Sequence, residues 1–131
     1  ISQQDLTPAA ASLAMETLPV DGQYDVVMRV NTSSNATLRA TVRGNTFDYS
    51  AQSHALTFSQ NGKTISSEVL HPDGTMEIRL LLDRGIVEAF WNEGEVPYCF
   101  GALHTAAETV LELDGDLRIE ELTVYPLRSI W

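Results

Sequence analysis

The chain has 131 residues, of which 44% are hydrophobic, so one domain can bury a sizeable core without a metal or a disulfide. Its 18 acidic and 8 basic side chains give a formal net charge of -10, which disfavours nucleic acid and anionic lipid as partners. Cys99 is the single cysteine, which excludes an internal disulfide. No apolar run is long enough to span a membrane, and residues 1–22 lack a signal-peptide pattern, so no membrane insertion is predicted.

The first 22 residues have the weakest strand pattern, and we expect a tail or a short helix there. Thr7 is a candidate N-cap with Pro8 at the first helical position, which favours a helical turn over Ala9–Ala14. From residue 23 to residue 131, alternating segments are separated by turn signals about every ten residues, a pattern typical of a sandwich or a barrel. We therefore predict an all-β module over residues 23–131.

The strands of this module are predicted from alternating apolar and polar residues. Asn61-Gly62 is the strongest short hairpin signal. In the last strand the alternation changes phase at Glu120-Glu121, which predicts a β-bulge. Outside the central region, the predicted strands are Tyr24–Val30, Leu38–Arg43, Thr46–Ser50, Ala55–Ser59, Lys63–Leu70, Thr109–Leu113 and Leu117–Leu127.

The central region, Met76–Phe100, is predicted to form three consecutive antiparallel strands. Two-residue turns at Arg84-Gly85 and Glu93-Gly94 place Leu82 opposite Val87 and Trp91 opposite Val96. One side of the three strands is then wholly apolar. Because a slip of one residue would expose that side, burial strongly favours this register.

No pair of acids forms a convincing catalytic site. A retaining glycosidase needs two carboxyl groups about 5 to 5.5 Å apart. Glu88 lies in mid-strand between Leu81 and Cys99 on the side away from the aromatic core, and we interpret it as a partly covered structural carboxylate near Arg79. Asp83 is interpreted as a hairpin cap together with Arg84. The sequence therefore predicts no catalytic residue.

Metal binding and nucleophilic catalysis have little support. His54, His71 and His104 are isolated in the sequence, and Asp114-Gly115-Asp116 is better explained as a turn than as a calcium loop. Cys99 has no histidine nearby and is expected to be a small, half-buried hydrophobic residue. No metal site and no cofactor are predicted.

The aromatic residues are divided between the core and the surface. Alternation places Trp91, Tyr98 and Phe100 in the core. The remaining candidates for an exposed platform on which a sugar ring could stack are Phe47, Tyr49 and Tyr125.

Two segments carry a resemblance to a known family. The run from Ile78 to Glu95, IRLLLDRGIVEAFWNEGE, resembles the segment "RLLVDRSSVEVFVNDGE" of the C-terminal β-sandwich of glycoside hydrolase family 32, which contains invertases, levanases and inulinases. The ending LTVYPLRSIW, from Leu122 to Trp131, is similar to the last strand of that module. Gly85 and Trp91 depart from the family pattern, which uses a serine and a smaller aliphatic residue there.

The resemblance implies a lectin-like (jelly-roll) β-sandwich of two antiparallel sheets, joined in the parent enzyme to an N-terminal five-bladed propeller. The family's three catalytic motifs, of the types Trp-Met-Asn-Asp-Pro, Arg-Asp-Pro and Glu-Cys, are absent from this chain. The expected function is therefore that of a non-catalytic module of a fructosidase that stabilises the propeller, in an extracellular or periplasmic protein. The alternatives are a carbohydrate-binding module for fructan or another glycan and a free-standing lectin-like domain. The oligomeric state is left open.

Overall fold

The computed structural model describes residues 2–16, 23–32, 36–42, 45–60, 63–68, 74–83, 86–91, 96–101 and 111–126. These segments form eleven strands and one helix. In chain order they are β1 (Ser2–Leu6), α1 (Pro8–Met15), β2 (Tyr24–Asn31), β3 (Thr37–Val42), β4 (Asn45–Ser50), β5 (Ala55–Gln60), β6 (Lys63–Glu68), β7 (Thr75–Leu82), β8 (Ile86–Trp91), β9 (Val96–Gly101), β10 (Leu111–Gly115) and β11 (Ile119–Pro126).

The strands form two antiparallel sheets. Sheet A has six strands in the order β1-β11-β2-β7-β8-β9, and sheet B has five in the order β10-β3-β4-β5-β6. Aromatic side chains of the two sheets meet between them, so the architecture is the predicted all-β sandwich of two antiparallel sheets. The choice between sandwich and barrel, which the strand pattern alone left open, is thereby decided.

The core follows from the period of two in each strand. In β2, β3, β4 and β7, every second side chain is buried, and these side chains point between the sheets. Phe47 of sheet B is central: its ring centroid lies 5.4 Å from that of Trp91 and 5.7 Å from that of Phe100, both of sheet A. Aromatic pairs at such distances contribute about 0.5 to 1.5 kcal/mol each beyond the burial of their area.

The predicted register of the central three strands is confirmed. Leu82 pairs with Val87, and Trp91 pairs with both Ile78 and Val96. The backbone N–H of Asp83 donates to the carbonyl of Ile86 at 3.0 Å, which closes the first hairpin as expected. The turn residues 84–85 and 92–95 lie outside the described residues.

The N-terminal segment contains both the predicted helix and an unexpected strand. Thr7 is the N-cap of α1, and its Oγ1 accepts from the N–H of Ala10 at 3.2 Å, as the sequence predicted. Before it, β1 pairs antiparallel with β11 at the edge of sheet A. Residues 1–22 were expected to form a tail or a short helix, so the pairing of β1 is a finding of the structure.

The last two strands differ in detail from the prediction. β10 runs to Gly115 rather than ending at Leu113, because its final residues continue to pair with β3. The predicted bulge in β11 is confirmed by a shift of register between Ile119 and Glu121. This shift keeps Ile119 and Leu122 buried on the same side of the strand.

Candidate functional site

The acid that was considered first, Glu88, lies on the outer surface of sheet A. Its strand neighbours are Leu81 and Cys99, as predicted. One part of the prediction is wrong, because Glu88 is exposed rather than partly covered. Arg79 lies diagonally across from Glu88, as predicted, but is bonded to another acid. Arg79 makes two hydrogen bonds to the carboxylate of Asp25, at 3.0 and 2.8 Å, since Asp25 lies diagonally across from it on β2. In the described part of the chain Glu88 therefore has no ion pair.

A hollow of about 320 Å³ lies beside Glu88, where β7 ends and β8 begins. Asp83 lines it as well, and its carboxylate accepts from Nε2 of Gln23 at 2.7 Å. The side chains of Leu81 and Ile86 complete the wall. The predicted partner of Asp83, Arg84, lies outside the described residues.

The thiol of Cys99 is free and exposed, so the expectation that it is half-buried is wrong. It lies on the outward side of β9, the edge strand of sheet A, where no described element covers it. His54 occupies a turn with a φ of 58° between β4 and β5, whereas His71 and His104 fall outside the described segments. Among the described side chains, no group of three or more histidine, cysteine or acidic residues is arranged to hold a metal ion.

Asp114 and Gly115 are the last residues of β10, and the chain bends only at Asp116, so the turn that the sequence predicted over all three residues begins later than expected. The carboxylate of Asp114 accepts from the N–H of Gly115 at 2.8 Å, and that of Asp116 accepts from the N–H of Thr37 at 2.8 Å. Both acids therefore serve local backbone groups at the end of β10.

Two of the three residues predicted as candidates for an exposed sugar platform are not exposed. Phe47 and Tyr49 are buried, because the alternation of β4 points both of them into the core. Tyr125 is 55% exposed on the outer surface of sheet A. Trp91 and Phe100 lie in the core as predicted, and Tyr98 is half-buried, with its hydroxyl 2.8 Å from the hydroxyl of Ser67.

The outer surface of sheet B, called the B face below, is polar. Nε of Arg39 donates a hydrogen bond to Asp48 at 2.7 Å. This hydrogen bond is the main reason that the pKa of Arg39 is raised, and the negative charge of Asp48 is the second reason. Asp114 lies on the other side of Arg39 and Thr57 on the other side of Asp48. The four residues line a hollow of about 400 Å³ that extends to Ser50. Its donors and acceptors suit an uncharged ligand with many hydroxyl groups.

The outer surface of sheet A, called the A face below, carries more apolar side chains. Charged and apolar side chains are interspersed on it: Phe90 and Pro97 face each other across β8 and β9, whereas Leu81 and Cys99 lie on either side of Glu88. Its apolar members are Val27, Leu81, Ile86, Phe90, Pro97, Cys99 and Tyr125. The two faces therefore differ in apolar content, since the A face adds apolar side chains to its charged ones.

The Arg39–Asp48 pair was not singled out from the sequence, although a signal for it existed. A two-residue turn at Arg43-Gly44 places Val42 opposite Asn45 and hence Arg39 opposite Asp48, which is the observed register. The alternation of both strands points the pair outward.

Within the described segments, no helix has the length and hydropathy that crossing a bilayer requires.

No family model and no curated protein matches the chain. Solved structures do match the chain in fold. Sucrose-6-phosphate hydrolase from Lactobacillus gasseri superposes with a TM-score of 0.71 and 11% identity, over 100% of this chain and 28% of that one. Exo-inulinase from Aspergillus awamori superposes with a TM-score of 0.64 and 17% identity, over 99% and 27%. Sheep galectin-11 matches with a TM-score of 0.54 and 16% identity, over 95% and 96%.

The chain thus spans little more than a quarter of the two hydrolases and nearly the whole of the galectin. At these identities the likeness is one of fold. The matches confirm, for the fold, the resemblance to the fructosidase β-sandwich that the central strands indicated. The chain has a lectin-like β-sandwich fold, which the two hydrolases contain as one part of a longer chain.

Proposed function

We propose that this chain is the non-catalytic C-terminal β-sandwich module of a family 32-type enzyme that hydrolyses fructan or sucrose. In this proposal the module stabilises a catalytic five-bladed propeller that precedes it in the parent protein, and the parent acts outside the cell or in the periplasm. The observation that supports the proposal is the match in fold of the whole chain to about a quarter of an exo-inulinase and of a sucrose-6-phosphate hydrolase. The amino-acid sequence of residues 78–95, which resembles a segment of that family, supports the same proposal.

The placement of the acids supports a non-catalytic role. Glu88 is flanked across the sheet by Leu81 and Cys99 rather than by a second carboxyl group. Asp83, which shares the hollow with Glu88, is already hydrogen-bonded through its carboxylate to Gln23. A glycosidase instead needs two acids held about 5 to 9.5 Å apart across a bound sugar.

The catalytic part of the proposal is tested by assaying the purified chain on sucrose, inulin and levan. The expected result is no release of reducing sugar above buffer. Hydrolysis that disappears in Glu88→Gln, and persists in the control Asp48→Asn on the other face, would show that the chain is an enzyme. The gene upstream of Ile1 supplies a second test, because the proposal requires it to encode a propeller with the three acidic motifs.

A second function, carbohydrate binding, is favoured by the hollow on the B face. Arg39 and Asp48 present a donor and an acceptor side by side, and Thr57 adds a hydroxyl at the rim. Vicinal hydroxyl groups of a sugar can bond to both members of such a pair. The net charge of -10 is compatible with a neutral glycan as the ligand.

Calorimetric titration with fructo-oligosaccharides separates the two functions. Binding at millimolar concentration or tighter that is lost in Arg39→Ala supports the carbohydrate-binding module. The matched control is Arg79→Ala, which breaks the arginine–aspartate pair on the A face and should leave binding unchanged. Absence of binding by the wild-type chain favours the structural module.

A further inference from the structure

The A face departs from what an exposed antiparallel sheet normally presents. The outer surface of a sandwich is usually polar because it faces water. The B face follows this rule, with Ala55 as its one apolar outward side chain among the described residues. On the A face, by contrast, apolar side chains lie on three adjacent strands: Leu81 of β7, Ile86 and Phe90 of β8, and Pro97 and Cys99 of β9. These five residues are called the A-face patch.

The register places the members of the A-face patch around Glu88. Leu81, Glu88 and Cys99 form one row across the three strands, and Phe90 and Pro97 are paired in the next row. Ile86 lies two residues before Glu88 on β8, on the side of Glu88 away from Phe90, and is 53% exposed. From strand spacing and residue rise, the patch measures about 10 Å by 13 Å. The patch can therefore form only the centre of an interface, since a specific interface covers about 800 Å² on each partner.

Glu88 lies in the middle of the A-face patch, and its charge indicates what kind of surface fits there. Because Arg79 is bonded twice to Asp25, no described cation neutralises Glu88. Covering Glu88 with an apolar surface alone would bury an unpaired charge, which is costly. A fitting surface is therefore apolar with a lysine or arginine opposite Glu88.

A second copy of this chain fits poorly. Each copy carries a net charge of -10, so two copies repel each other, and a symmetric contact brings the same acidic centres together. The fructosidases that share the fold devote nearly three quarters of their chains to other parts, so they supply a different surface within the same protein.

We propose that the A-face patch is the surface through which this module docks on the propeller of its parent enzyme, with a basic side chain of the propeller paired to Glu88. This assignment rests on the proposed function and adds to it the face that is covered. It leaves the B face, with its hollow beside Arg39 and Asp48, open to solvent.

Cys99 provides a native reporter, because it is the single cysteine and belongs to the patch. Its rate of alkylation by a maleimide is measured in the 131-residue chain and in the full-length parent. We expect it to react at least tenfold more slowly in the parent. The matched control is Thr57→Cys in a Cys99→Ser background, which places the only thiol on the B face and should react at similar rates in both proteins.

The outcomes separate this proposal from the one on which it rests. A parent without a propeller overturns both. A parent with a propeller in which Thr57→Cys is protected and Cys99 is not keeps the proposed function and overturns the assigned face. Protection of both thiols, or of neither, also overturns the assignment of a single docking face.

The basic partner of Glu88 is tested by charge reversal. Glu88→Lys should leave the unfolding midpoint of the 131-residue chain within a few degrees of wild type, since Glu88 is exposed there, and should lower the midpoint of the parent measurably. Thr57→Lys on the B face, which adds a cation without breaking an ion pair, is the control for the parent. An equal shift of the parent's midpoint in both variants would contradict a specific cation opposite Glu88.

Discussion

The hydroxyl of Tyr49 is a polar atom enclosed in the core. The side chain is 1% exposed, its ring centroid lies 6.0 Å from that of Trp91, and its hydroxyl has no hydrogen-bond partner among the described residues. Burial raises the pKa of Tyr49 above that of a free tyrosine, because the tyrosinate is poorly solvated there. The hydroxyl therefore contributes no favourable bond to the fold within the described structure.

Replacing Tyr49 with phenylalanine should leave the chain as stable as wild type at neutral pH, or more stable by about 1 kcal/mol. The two proteins should diverge at high pH. Below about pH 10, Tyr49 is protonated in the folded and the unfolded chain. Above it, the unfolded wild type loses this proton first, so stability falls by up to about 1.4 kcal/mol per pH unit until the pH passes the raised pKa.

Urea unfolding between about pH 9 and pH 12 tests this expectation. Because the other tyrosines titrate in both proteins, the relevant quantity is the difference between Tyr49→Phe and wild type. A difference that does not change with pH would contradict the raised pKa.

Gly115 is required by both its backbone angle and its surroundings. Its φ is 117°, and a Cβ built there would collide with the carbonyl group of Thr37. That carbonyl accepts from the N–H groups of Asp116 and Leu117 at 3.1 and 3.0 Å, so it cannot move without breaking two hydrogen bonds. This contact joins the end of β10 to the start of β3.

Gly115→Ala should therefore destabilise the fold by about 3 kcal/mol or more. Gly74→Ala is a matched control, because Gly74 also has a positive φ, of 80°, but has nothing within 4 Å of the built Cβ. It should cost only the backbone strain, about 1 kcal/mol. Chemical denaturation measures both, and equal losses would contradict the role given to the Thr37 carbonyl.

At the scale of elements, α1 covers the open edge of sheet B. The hydroxyl of Ser12 lies 2.6 Å from both the N–H and the carbonyl of Leu113 on the edge strand β10. It accepts from the first and donates to the second, so one side chain satisfies two backbone groups that an adjacent strand would otherwise pair with. Covered edges of this kind prevent edge-to-edge association of sheets.

Ser12→Ala should lower the stability by about 1 to 3 kcal/mol, because both backbone groups of Leu113 lose their partner in a half-buried position. The amide of Leu113 should also exchange its hydrogen at least about tenfold faster. Leu13→Ala is the control on the same helix, since Leu13 is 65% exposed and should change the stability by less than about 0.5 kcal/mol. Unchanged exchange at Leu113 in Ser12→Ala would disprove the edge contact.

The strands that the sequence predicted well are those in which burial and turn length agree. The pairing of β7, β8 and β9 follows from alternation and two short turns, and it was predicted residue by residue. β1 was missed because Ser2–Leu6 has no alternation of its own: it becomes a strand by pairing with the free edge of β11. Tertiary pairing, rather than local pattern, determines such a segment.

The same limit applies to the candidate sites. The outward positions of single strands could be predicted, and those of Glu88 and Cys99 were. The ion pair of Arg79 with Asp25 depends on β2 lying beside β7, a contact between residues 54 positions apart that no turn specifies. Without that contact, the sequence could not show that Glu88 lacks a cation within the described structure.

At the scale of the whole molecule, the net charge and the A-face patch have opposite effects on association. A charge of -10 keeps copies apart at low ionic strength, whereas salt shortens the range of that repulsion, to a Debye length of about 8 Å near 0.15 M. Apolar contact is not weakened by screening. The chain alone should therefore self-associate as salt rises from about 0.01 M to about 1 M, but only weakly, because a contact between two copies still covers Glu88 without a cation.

Two variants locate this association. Ile86→Lys and Thr57→Lys both change the formal charge from -10 to -9, so any change in overall repulsion is the same for both. Ile86→Lys places the new charge in the A-face patch and should suppress association at high salt, as measured by sedimentation velocity. Thr57→Lys lies on the B face and should associate like wild type or slightly more. If both variants behave alike, the apolar patch is not the surface that associates, and the charge alone governs the behaviour of the chain in solution.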